Sequence, residues 1–186
     1  MSPLDQLLSL LTSRSFGTLW YWILLGVGWT IASRNVLGIP PDEVARARRE
    51  AKQGTGDLRL LDWLSLVLPR WEVGPVGGAV LFGFVTFGIV VLFLLGFRYG
   101  RETAQASFLL LGPLSIVFLL RIRLANRLRV LLVEAESDAI PAAKAQEEAV
   151  RRIGFHRTVV MIIAMLSILI ATFWGLLWIA MHPFGR

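Results

Sequence analysis

Hydrophobic positions in this chain gather in long blocks instead of the short alternating runs of a half-exposed sheet. Four blocks carry no Asp, Glu, Lys, Arg or His: residues 16–33, 77–97, 103–120 and 158–181. Each lies near the ~17–25 apolar residues that a helix needs to cross a bilayer. The pattern predicts an all-α membrane protein with four transmembrane helices, a cytoplasmic helical hairpin and short amphipathic interfacial helices. One membrane domain over residues 1–186 accounts for the chain, which shows no internal repeat or low-complexity tract.

The segments between the blocks have patterns of their own. Residues 1–15 are too short to span. Ser2-Pro3 offers a helix cap with proline at the first helical position. Leu4, Leu7, Leu8 and Leu11 follow at helical spacing, which predicts a helix lying in the membrane surface. A cleaved signal peptide would want a basic start, whereas Asp5 and Arg14 cancel. In the loop 34–76, Pro40-Pro41-Asp42-Glu43 is a strong helix start, with acidic residues at the positive end of the dipole. Asp42–Arg46 and Arg46–Glu50 are i,i+4 pairs that support a charged helix ended by Gly54-Thr55-Gly56. Residues 57–71 set Arg59, Asp62 and Ser65 on a narrow polar face among leucines and Trp63, the composition of an interfacial helix.

Arg98 to Glu102 is a tight turn between the second and third blocks. Gly112-Pro113 interrupts the third, where a kink is expected. The leucine period then continues through Leu124, Leu128 and Leu131 into the loop 121–157, so this helix is expected to leave the membrane and turn near Asp138–Pro141. A return helix carries Glu147–Arg151 and Glu148–Arg152 in the favourable orientation and leads into the fourth block.

Composition supports the bilayer. The chain is 55% hydrophobic, with 17 glycines in addition, and its mean hydropathy is +0.65. Soluble domains run at ~45–50% apolar with glycine included, and a 186-residue chain encloses too little interior to hide this excess. The formal charge of +6 is unevenly placed. Fifteen of the 19 lysines and arginines lie in the loops 34–76 and 121–157, against four at Arg14, Arg98, Arg101 and Arg186. The positive-inside bias therefore puts both long loops in the cytoplasm and both termini in the periplasm of a bacterial inner membrane. Trp20, Trp22, Trp174 and Trp178 then fall near the outer interface, and Trp29, Trp63 and Trp71 near the inner one.

Candidate chemistry is sparse. There is no cysteine, which excludes a disulfide framework, a thiolate-held cluster and a cysteine nucleophile. The uncharged blocks argue against proton-coupled transport, which places ionisable groups at membrane depth. His156 and His182 stand 26 residues apart, ~39 Å along a helix, and cannot share one metal within a chain. Gly54-Thr55-Gly56 lacks the lysine of a phosphate loop. No cofactor, metal or catalytic residue is expected.

Two features remain. The run Arg121, Arg123, Arg127 and Arg129 has the character of a topological anchor, or of a contact with anionic headgroups or an acidic partner. Nucleic acid is not expected there, because the run adjoins the bilayer and no aromatics are interleaved. Small residues form ridges at helical spacing: Ala164, Ser167, Ala171 and Gly175 in the fourth block, Ala79, Gly83 and Thr86 in the second, and Gly26, Thr30 and Ser33 in the first. Such ridges let helix backbones approach closely in lipid, within one bundle or between subunits.

The strings Arg14-Ser15-Phe16, Leu19-Trp20-Tyr21-Trp22 and Val36-Leu37-Gly38 with Pro40 and Asp42 also form a pattern. With Gly96-Phe97, Tyr99, Ala104-Gln105-Ala106, Phe108-Leu109 and Pro113, it resembles a set of small alphaproteobacterial polytopic membrane proteins. These are commonly labelled "component of SufBCD complex". The resemblance implies an inner-membrane location, and the label implies a link to iron–sulfur cluster assembly. It carries no site residue over, and no cysteine is present to hold or pass a cluster.

Together these features predict a non-enzymatic accessory or assembly subunit of a larger inner-membrane complex, with lipids and other membrane subunits, self or foreign, as partners. A homo-oligomeric ion channel or small-solute pore is the alternative. A lipid-modifying enzyme would require Arg121, Arg123 and His156 to converge.

Overall fold

A computed structural model describes residues 16, 19–34, 36–53 and 59–181. The expected surface helix at 1–15, together with Arg14, His182 and Arg186, lies outside them. Among the described residues the structure is all-helical, with no strand. Helix α1 spans Leu19–Arg34, α2 Pro41–Gln53, α3 Arg59–Val67, α4 Pro75–Phe93, α5 Glu102–Glu136 and α6 Ala142–Met181. A 3-10 turn at Leu68–Trp71 extends α3, and a π-turn at Leu94–Arg98 extends α4.

Among the described residues, three helical stretches are long and apolar enough to cross a membrane: Val76–Arg98, Glu102–Glu136 and Ala142–Met181. The last two, of 35 and 40 residues, measure ~52 and ~60 Å at ~1.5 Å per residue. Each exceeds the ~30 Å hydrocarbon layer, so charged helix continues past the apolar part. Helix α5 runs unbroken through Pro113. The first uncharged block yields a shorter helix than the other three, with 16 residues in α1, or ~24 Å.

The chain divides into two compact units. The first comprises 16–30, Pro75–Ser115 and 163–181; the second comprises Ile31–Gly74 and Ile116–Ile162. In the first, the core is aromatic. Phe16, Tyr21 and Ala106 are buried, with Trp22, Leu109, Trp174 and Trp178 against them. Phe16 and Tyr21 meet edge to face at 5.3 Å, a geometry that the ring quadrupoles favour. The outward faces stay apolar: Trp20, Phe84, Phe87 and Phe173 are all more than 60% exposed.

In the second unit the core is aliphatic. Leu60, Leu64 and Leu68 from α3 and its 3-10 turn pack with Leu124, Leu128 and Leu131 of α5 and with Ala145, Ala149 and Ile153 of α6. Leu60, Leu61, Leu64 and Leu68 are thus buried in the second unit's own core, and Trp63 and Leu66 remain exposed. Two backbone features close this unit. Ser137 to Pro141 joins α5 to α6 by a Schellman motif: Asp138 takes a positive φ of 55°, its N–H bonds Ala135 O and the Ala139 N–H bonds Glu134 O. Short polar Asp tolerates that left-handed backbone better than most residues. Between α1 and α2, Leu37 and Gly38 both have positive φ, and Ile39 N–H closes the turn on Val36 O at 3.0 Å. Leu37 is held there by complete burial and by Trp71 Nε1–H donating to its carbonyl.

Candidate functional site

The arginine run of α5 separates into distinct environments, as residues two apart on a helix must. Arg121 is half-buried and its guanidinium donates to Ala32 O in the last turn of α1. It thereby satisfies a carbonyl that the end of the helix leaves without a partner and places a cation at the negative end of the dipole. Arg123 and Arg127 are exposed. Arg129 pairs with Glu72 at 2.6 Å, both half-exposed. Arg123 therefore stands apart from His156, whereas Arg121 lies close enough for its charge to act on that ring. The His156 ring is buried, its Nε2 has no hydrogen-bond partner, and its pKa is lowered by burial and then by the charge of Arg121.

The small-residue ridges also differ. Ala171, Ser167 and Gly175 of α6 are buried and Ala164 is half-buried. Ser167 Oγ donates to Leu109 O of α5 at 3.4 Å, and a Cβ on Gly175 would meet the rings of Phe16 and Trp22 at 3.3 and 3.4 Å. Ala79, Gly83 and Thr86 of α4 are exposed, as are Gly26 and Thr30 of α1. Nothing lies within 4 Å of a Cβ built at Gly83 or Gly26.

A polar clamp that the apolar pattern does not announce holds α4 to α5 and α6 in the first unit. Gln105 is buried; its Nε2 donates to Gly96 O at 2.8 Å and its Oε1 accepts from Trp174 Nε1 at 3.0 Å. Gly96 lies in the π-turn, whose i→i+5 bonding changes the local register of the helix. A Cβ at Gly96 would stand 2.9 Å from Gln105 N, so only glycine allows the approach. Nearby, Phe16 N–H donates to Glu102 Oε1 at 2.7 Å, and Trp22 Nε1–H donates to Phe16 O at 3.1 Å. The signal available in the sequence was a lone glutamine inside the third uncharged block.

The second unit holds a groove of about 680 Å³ between α2, the α1–α2 turn and the N-terminal half of α6. Its floor is apolar, with Val36, Ile39, Val44, Val150 and Ile153. Arg34, Arg48, Arg151 and Arg157 line it, against the single carboxylate of Glu147. Arg151 bonds Glu148 at 2.5 Å, and Arg152 bonds the same carboxylate at 2.7 Å, which holds the Glu148 pKa below the usual carboxylate range. Arg34, Arg48 and Arg157 have no carboxylate partner among the described residues. Phe155 and Met161 border the groove and are 73% and 53% exposed.

Among the described residues no three His, Asp or Glu side chains are grouped to hold a metal ion. No protein-family model, curated protein or solved structure matches the chain.

Proposed function

We propose that this chain is a four-span inner-membrane protein that works by packing against other membrane subunits, as an accessory or assembly component of a larger complex. The observation that carries the reading is the outward face of α4. Phe82, Phe84 and Phe87 are exposed beside Ala79, Gly83 and Thr86. In water such a face would be an aggregation hazard. In lipid its bulky rings meet acyl chains, and the ridge gives a neighbouring helix a place for close approach. The crossings are α1, α4 and the apolar stretches of α5 and α6. Both arginine-rich loops face the cytoplasm, where the positive-inside bias holds them. Arg123 and Arg127 are free there to meet anionic headgroups.

Affinity purification from native membranes tests the reading. Recovery at fixed stoichiometry with other membrane proteins is expected, and Gly83→Leu, which projects a branched side chain from the ridge, is expected to lose them. Recovery of the chain alone, as a symmetric oligomer that conducts in a planar bilayer, would contradict it and favour a pore.

A further inference from the structure

We propose that the groove between α2 and α6 binds one anionic glycerophospholipid of the inner leaflet, with its phosphate held by Arg34, Arg48 and Arg157. The inference rests on the membrane reading of the chain but not on the accessory role. Three cations that are far apart in sequence line this one groove from three helices: Arg34 ends α1, Arg48 lies on α2 and Arg157 lies on α6. None is neutralised by a carboxylate among the described residues, and Glu147 is the only acid in the lining. Arginine forks match phosphate oxygens in two-point contacts, so a phosphate ester completes bonds that the protein leaves open.

The apolar side of the groove distinguishes a lipid from a free anion. Residues 158–181 of α6 carry no charge, so Arg157 stands at the last charged position before the apolar stretch. Phe155 and Met161 flank it with their side chains exposed, and Ile39 and Ile153 close the floor behind. A phosphate alone would leave this apolar lining wet. A headgroup joined to acyl chains fits both parts at once, with the chains lying on Phe155 and Met161. The groove volume falls within the ~300–1,000 Å³ of sites that enclose ligands of a few hundred daltons, enough for a headgroup and the first part of the chains.

Native mass spectrometry of the detergent-purified full chain tests this, with phosphatidylglycerol, phosphatidylcholine and glycerol 3-phosphate as separate probes. One phosphatidylglycerol is expected to stay bound, at least tenfold more tightly than phosphatidylcholine, with no binding of glycerol 3-phosphate at the same concentration. The combined variant Arg34→Gln, Arg48→Gln, Arg157→Gln is expected to lose that tenfold preference. Arg98→Gln with Arg101→Gln, at exposed positions between α4 and α5 and outside the groove, is expected to keep it. If the triple variant loses its helical circular dichroism, Arg157→Gln and Met161→Asp serve singly, and each is expected to weaken retention. Equal binding of the two lipids, tight binding of glycerol 3-phosphate, or retention unchanged in the groove variants would overturn the proposal. Extraction of the chain from membranes by alkaline carbonate would instead overturn the membrane reading, which separates the two failures.

Discussion

The two units reach internal order by opposite means. The first is tied by hydrogen bonds within aromatic surroundings: Gln105 to Gly96 and Trp174, Glu102 to Phe16, and Trp22 to Phe16. The second is tied by aliphatic burial, with Leu60, Leu64, Leu128 and Ile153 almost wholly hidden and its charges mostly at the surface. The difference follows from the solvent proposed for each. Lipid tails are as apolar as leucine, so burying a leucine from lipid gains little, and close packing with interhelical hydrogen bonds must hold the helices. Water rewards apolar burial at ~25 cal/mol per Å², so a leucine core suffices where the helices leave the bilayer. The exposed phenylalanines of α4 and the exposed arginines of α2 fit the same division.

Breaking the aliphatic unit should have the largest effect. Leu128 is 0% exposed, and Leu128→Ala is expected to cost ~2–5 kcal/mol by lost transfer and a residual cavity. Thermal unfolding in detergent micelles reads this, and a cost below 1 kcal/mol would mean that the core is loose. In the aromatic unit, Gly96→Ala forces a methyl against the Gln105 backbone and is expected to cost ~1–3 kcal/mol by overpacking. Gln105→Leu keeps the bulk but leaves Gly96 O and Trp174 Nε1 without the bonds seen here; the expected loss is ~0.6–2 kcal/mol, the range found for interhelical hydrogen bonds in membranes. An equal loss from Gln105→Leu and Leu128→Ala would erase the distinction between the units.

These contrasts also show what a sequence carries. Periodicity and hydropathy announce where helices run: the leucine period past residue 120 continues to Glu136, and Asp138 lies at the turn. Gly112-Pro113, where the sequence predicts a kink, lies within the continuous helix α5, because one missing N–H leaves the rest of a 35-residue helix bonded. The first apolar block was harder to bound, since Phe16 begins as a turn and α1 starts at Leu19. The sites were not legible. Gln105 finds Gly96 across a π-turn, and Arg34, Arg48 and Arg157 line one groove only when three helices are assembled, so no spacing rule connects them. The run 121–129 looks uniform in sequence, yet one member caps a helix, one pairs with Glu72 and two face outward. Pattern identifies elements, and close approach in space decides what each polar side chain does.

Smaller effects sharpen the second unit further. Because burial and Arg121 hold the His156 pKa down, the native ring stays neutral while the unfolded chain takes up a proton near pH ~6.5. Stability from this group is therefore complete above that pH and falls as pH drops towards and through the lower folded value. Melting at pH 8 and pH 5 should show the decrease, and His156→Gln should reduce it. Arg129→Gln removes a half-exposed ion pair with Glu72 and is expected to cost less than ~1 kcal/mol, with most of that lost in high salt.

The proposed topology, four crossings with both long charged loops on the cytoplasmic face, fixes the side on which each connecting segment lies. The chain's lack of cysteine makes each introduced thiol a unique reporter. Ser2→Cys, Gly74→Cys, Tyr99→Cys and Ala139→Cys can each be probed in intact spheroplasts with a membrane-impermeant maleimide. The account predicts labelling at positions 2 and 99 from outside, and at 74 and 139 only after the membrane is opened. Labelling of positions 2 and 74 from the same side, or of 99 and 139 from the same side, would contradict it.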